Sequence, residues 1–137
     1  MRRGTPAAAA AAIALLAAGC GQPTAALFTM TRGGSIPGAK LNLRVTDDGH
    51  VSCNGGPLVE ITSKQLIDAR DATRELSKPA GKHVSLPPKP GSTLNYTFTI
   101  DKDAVRFADN SAGQDPAMYK AALLVRQLAQ GPCHLPR

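Results

Sequence analysis

The chain has 137 residues and a formal net charge of +6, from sixteen Lys and Arg against ten acidic residues. That length suits one domain with a modest core. The basic residues form no run and no stripe interleaved with aromatics, which argues against a nucleic-acid partner.

The N-terminus opens with the basic Met1-Arg2-Arg3-Gly4, followed by an uninterrupted apolar stretch from Ala7 to Ala18. A membrane-spanning helix needs roughly 20 apolar residues; this stretch is shorter and has the length of a secretion-signal core. It runs into Leu16-Ala17-Ala18-Gly19-Cys20. Small residues before a cysteine make this segment resemble the lipobox of bacterial lipoproteins, with Ala17 where that family favours leucine and Leu16 one step further back. The resemblance implies a signal peptide over 1–19, cleavage after Gly19 and a diacylglyceryl group on the Cys20 sulfur. It thus implies a protein lipid-anchored at the extracytoplasmic face of the cell membrane. Two acyl chains suffice for stable anchoring, at about 0.8 kcal/mol per buried methylene. Residues 20–26 would form the tether, whose six residues after Cys20 reach at most about 20 Å and keep the domain near the bilayer. Without Arg2 and Arg3 the balance is fourteen basic against ten acidic residues, a net +4 compatible with an anionic lipid surface.

With Cys20 assigned to the anchor, Cys53 and Cys133 remain. In an oxidising compartment such a pair is expected to form a disulfide. Closing a loop of about 80 residues would stabilise the fold by about 4–5 kcal/mol in the chain-entropy account. These cysteines, with His50, His83 and His134, have no recognisable zinc-ligand spacing, so neither a metal nor another cofactor is expected.

The rest of the chain, 27–137, reads as a single domain. Leu27 to Arg32 is a first strand with Phe28 and Met30 on one side and threonines on the other, followed by a Gly33–Gly38 loop. Leu41, Leu43 and Val45 alternate with polar residues up to Asp47-Asp48-Gly49, and Val51 and Cys53 alternate beyond it. A three-residue turn with Gly49 left-handed sets Val45 opposite Val51 and Leu43 opposite Cys53, placing all the apolar side chains on one face. After Asn54-Gly55-Gly56-Pro57, the run Leu58–Ile61 leads into a helix whose Thr62 and Gln65 form a capping box. Its apolar positions are Leu66, Ala69, Thr73 and Leu76, joined by Ile67, and it is expected to stop near Leu76 or Ser77. Lys64–Asp68 and Asp71–Arg74 are spaced for weak pairing.

Pro79–Thr93 is a long Pro-rich loop, favouring extended backbone. Its Lys82, His83, Leu86 and Lys89 are the candidate contact residues. Leu94, Tyr96, Phe98 and Ile100 begin a second hairpin. A connection centred on Lys102-Asp103 would pair Ile100 with Val105 and Phe98 with Phe107. A polar loop, Ala108–Gln114, precedes Asp115-Pro116, an N-cap and first-turn proline. That helix stops at Gly131-Pro132, with Ala117, Ala121, Leu124 and Leu128 buried.

The order β-β-β-α-β-β-α predicts an α+β domain: a five-stranded antiparallel sheet with two helices on one face and one disulfide. No catalytic constellation stands out. There is no nucleophile elbow, the paired Asp47-Asp48 and Asp101/Asp103 fall in turns, and Gly33-Gly34 and Gly55-Gly56 do not join a strand to a helix N-terminus. Asp109-Asn110-Ser111 lacks the spacing of a calcium loop.

The layout, with Ala26-Leu27 opening a strand, an alternating strand near a cysteine and then a helix, is similar to the bacterial subtilisin-inhibitor type. That family has two disulfides and a reactive loop beside a cysteine; here no cysteine braces Pro79–Thr93, and no reactive-site residue carries over. The expectation is a non-catalytic binding or accessory module with a protein or envelope partner, with a protease inhibitor as the alternative. The first reading expects a mobile Pro-rich loop, the second a rigid one. A carrier of hydrophobic ligands would need a larger core.

Overall fold

The computed structural model describes residues 23–136, so the expected signal segment and the expected lipidation site at Cys20 lie outside the described residues. Within them the chain is α+β, with six strands rather than five. These are β1 (Ala26–Gly34), β2 (Leu41–Thr46), β3 (His50–Cys53), β4 (Leu58–Glu60), β5 (Leu94–Ile100) and β6 (Asp103–Ala108). The helices are α1 (Ser63–Gly81) and α2 (Pro116–Gln130). All neighbouring strands pair antiparallel in the order β4-β3-β2-β1-β5-β6, so the first strand lies in the interior of the sheet.

Alternation decides which face is covered. Phe28, Met30, Leu41, Leu43, Val45, Val51, Tyr96, Phe98, Val105 and Phe107 are buried, whereas Thr29, Thr31, Asn42 and Arg106 on the opposite face are exposed. Both helices pack on the buried face, with α1 against β1, β5 and β6 and α2 against α1. Phe28, Phe98 and Phe107 form a chain of ring contacts, at centroid separations of 5.3 Å and 5.9 Å, that fixes the middle of this core.

The first hairpin has the expected register, Val45 opposite Val51 and Leu43 opposite Cys53, with Gly49 at φ 89°. The second does not. Ile100 pairs with Asp103, Phe98 with Val105 and Tyr96 with Phe107. The connection is only Asp101–Lys102, with Asp101 at φ 55°. A slip of two residues leaves every side chain on its original face, so hydrophobic alternation could not separate the two registers. The tight turn, whose twist suits the flanking strands, decides between them.

The sixth strand, β4, was not expected. Cys53–Gly56 closes a tight turn in which Gly56 N–H donates to the Cys53 carbonyl (2.9 Å), with Asn54 at φ 51° and Gly55 at φ 73°. Asn-Gly with both residues at positive φ is a strong hairpin signal, and it returns the chain so that Leu58 and Val59 pair with Ser52 and Val51.

β1 also runs two residues further than expected, through Gly33 and Gly34. A Cβ on Gly34 would lie 1.9 Å from the Thr93 carbonyl oxygen, so glycine alone permits this approach.

The Thr62–Gln65 capping box is present, but α1 continues to Gly81 instead of ending before Pro79. Pro79 forfeits one i→i−4 bond inside the helix, while the additional turn buries Ala80 in line with Ala69, Ala72 and Leu76. Ile67, expected to join this stripe, lies off it and is 57% exposed. The helix ends in a Schellman motif: His83 N–H donates to the Ala80 carbonyl (2.8 Å) and Val84 N–H to the Pro79 carbonyl (3.0 Å). His83 takes the left-handed position at φ 52° that glycine usually fills. The second helix matches expectation, with Asp115 accepting from the Ala117 and Met118 N–H groups. Cys53 and Cys133 are joined, Cα to Cα 5.8 Å, tying the end of β3 to the residues just after α2.

Candidate functional site

The strand directions give the domain two ends. Ala26 lies opposite Thr46, so the chain enters β1 beside the Asp47–Gly49 turn. Gly34 lies opposite Leu94 at the other end, about 26 Å away at 3.3 Å per residue. The crest of the Pro-rich loop lies at this far end: Pro88 and Lys89 share a shallow depression with Gly34, Ser35, Thr93 and Asn95.

The loop begins at Lys82, after the helix, and is laid down residue by residue. Arg106 N–H donates to the Val84 carbonyl (3.0 Å) and Leu86 N–H to the Arg106 carbonyl (2.9 Å), making a short parallel bridge along the edge of β6. Val84 and Leu86 turn their side chains toward the core. Ser111, itself buried, donates to the Leu86 carbonyl (3.2 Å).

Asn110 then grips the crest. Its Oδ1 accepts from Lys89 N–H (2.9 Å), and its Nδ2 donates to the carbonyls of Lys89 and Pro90 (3.2 Å each). A turn closed by Ser92 N–H on the Lys89 carbonyl (3.2 Å), with Gly91 at φ 87°, brings the chain back toward β5.

The returning limb is fixed by one carboxylate. Asp109 accepts from Ser92 Oγ (2.7 Å), Thr93 N–H (3.0 Å), Thr93 Oγ1 (2.8 Å) and Leu94 N–H (3.2 Å). Partial desolvation pushes its pKa upward, but these four hydrogen bonds outweigh that and hold it below the ordinary carboxylate value. Asp109-Asn110-Ser111, weighed in the sequence as oxygen donors to a cation, therefore serves as the clamp of the loop.

Of the four candidate contact residues, Lys82, His83 and Lys89 are exposed, and Leu86 is half-buried. They do not form one cluster. His83 belongs to the end of α1, its Nε2 4.0 Å from Asp103, whereas Lys89 stands at the crest. The crest itself, Pro87-Pro88-Lys89-Pro90-Gly91, is exposed throughout.

A second concavity was not visible in the sequence. A half-open groove of about 490 Å³ lies between α2 and the far half of the sheet, lined by Arg32, Leu94, Tyr96, Leu123 and Arg126 among others. Arg32 shares the Phe28 and Met30 face of β1 and is buried. Its Nε and Nη2 donate to the carbonyls of Ala39 (2.8 Å) and Gly38 (3.1 Å), holding the β1–β2 connection. Burial raises the Tyr96 pKa, with Arg32 and Arg126 opposing the rise. Among the described residues no three His, Cys, Asp or Glu side chains converge as metal ligands, and no helix is long and apolar enough to cross a membrane. No protein-family model, no curated protein and no solved structure matches the chain.

Proposed function

We propose that this chain is a membrane-anchored, non-catalytic binding module at the outer face of the cytoplasmic membrane, which meets an envelope partner through the Pro87–Gly91 crest. The observation that carries this reading is an exposed crest whose two limbs are bonded to Asn110 and Asp109, at the end of the domain opposite the entry to β1. A tether joined at Ala26 would leave that crest facing away from the bilayer. Preorganisation lowers the ordering cost of binding, which gives a physical purpose to so many bonds on an exposed segment.

The anchor is tested at Cys20. Cys20→Ala should abolish fatty-acid labelling and release the protein from the detergent phase; a variant that still incorporates label would overturn the lipoprotein assignment.

A bonded loop departs from the mobile one expected of an accessory module and favours the protease-inhibitor reading, which requires a loop that resists cleavage. The composition of the crest opposes it, because the bonds after Leu86, Pro87 and Lys89 all lead into proline, whose ring and missing N–H suit a scissile position poorly. A panel of serine proteases separates the two: tight inhibition lost on Lys89→Ala would establish the inhibitor and displace the accessory module.

A further inference from the structure

We infer that Leu86–Pro90, the limb of the crest before its turn at Gly91, is a preformed polyproline-type ligand, and that its partner presents an aromatic-lined groove with a carboxylate on its rim. This rests on the binding-module reading above and names the chemistry of the partner. Leu86, Pro87 and Lys89 each precede a proline, which steers all three away from helical backbone and toward extended or polyproline conformation. Pro87, Pro88 and Pro90 have φ fixed near the polyproline value by their rings. With three residues per turn, Pro87 and Pro90 fall on the same edge of such a helix.

The hydrogen bonds around the crest are selective. The carbonyls of Leu86, Lys89 and Pro90 are taken by Ser111 and Asn110. Those of Pro87 and Pro88 accept no hydrogen bond from any described residue. With the Gly91 carbonyl they are the crest carbonyls left for an outside donor, and those of Pro87 and Pro88 adjoin exposed proline rings. Aromatic grooves that bind proline-rich segments use this combination: ring faces packed between aromatic side chains, with an indole or phenol donor on a free carbonyl. The Lys89 side chain, exposed and engaged in no ion pair among the described residues, supplies the charge that a rim carboxylate would meet.

The test uses the full, anchored chain in the cells that make it, with a benzophenone side chain in place of the exposed Ser85. The competitor is a synthetic peptide of residues 84–93, set against the same peptide with its three crest prolines changed to alanine. The expected result is a cross-linked adduct suppressed about tenfold by the proline peptide and left intact by the alanine one. Pro88→Ala and Lys89→Glu in the anchored chain should lower the adduct yield while leaving the unfolding midpoint at its wild-type value. An adduct indifferent to the peptide and to both substitutions overturns the proline-groove partner but leaves the binding module standing. No adduct at all overturns both.

Discussion

Where the chain enters β1, it reverses direction through two short connections, Asp47–Gly49 and Asp101–Lys102, and the first is closed by bonds within the turn itself. Thr46 Oγ donates to Asp48, His50 Nδ1 lies 3.1 Å from the same carboxylate, and Gly49 N–H donates to the Thr46 carbonyl. Braces from elsewhere are added to these: Arg70 donates to Asp47 from α1, Thr24 Oγ1 donates to Asp48, Asp47 N–H donates to the Ala25 carbonyl, and Ile61 N–H donates to the Gly49 carbonyl. The opposite end has one tight turn, at Asn54-Gly55, but is otherwise made of longer connections fixed by residues remote in sequence: Cys53 by Cys133, Lys89 and Pro90 by Asn110, and Ser92 to Leu94 by Asp109. The turns at one end close on themselves and are then braced, whereas the proline-rich connection at the other takes its shape from tertiary contacts. The far end should therefore respond to single substitutions in ways the near end does not.

The largest effect is expected from the disulfide. Cys53→Ser with Cys133→Ser should cost about 2–5 kcal/mol in urea unfolding. Hydrogen exchange should quicken first at residues 52–58 and 130–135, with the Asp47–Gly49 turn unchanged; uniform quickening would break the distinction between the ends. Asn110→Ala removes three hydrogen bonds from the crest and should cost about 1–2 kcal/mol. It should also turn a protease-resistant loop into one nicked between residues 86 and 91, as read by limited proteolysis and mass spectrometry.

The Asp109 clamp adds a pH dependence of definite sign. Its carboxyl is depressed in the folded chain. Its contribution is therefore complete above the unfolded value of about 3.9 and is lost only as pH falls below that, through the folded value. Nicking of residues 91–94 by an acid-stable protease should begin below pH ~4 and be present at neutral pH in Asp109→Ala. The smallest effect is at His83, whose left-handed backbone suits glycine better: His83→Gly should stabilise by about 0.5–1 kcal/mol, seen as a small rise in Tm.

The same division explains what could be read from the sequence. The Val45–Val51 register, both N-caps, the buried stripe of α2 and the Cys53–Cys133 pairing each follow from neighbours in the chain or from a count of cysteines. The Asp101–Lys102 register was ambiguous because a two-residue slip preserves facing. The three residues of β4 form no alternating pattern, and Asn54-Gly55 is its one signal in the sequence. The loop was legible as exposed and proline-rich, but its rigidity was not. Nothing in the order of residues announces that Asn110 and Asp109, across an intervening hairpin, will close on residues 89–94, nor that Arg32 will be buried while holding Gly38 and Ala39.

The short bridge of Val84–Leu86 on Arg106 has a consequence for life in a crowd. A six-stranded sheet exposes two rows of backbone donors and acceptors, and copies held side by side on a surface would meet edge to edge at high local concentration. Here one margin is already occupied by the chain's own Val84–Leu86, and the other offers only the three residues of β4. Neither provides the long, open template from which sheets extend into one another, so the proposed anchoring could concentrate these domains laterally without zipping them into fibres.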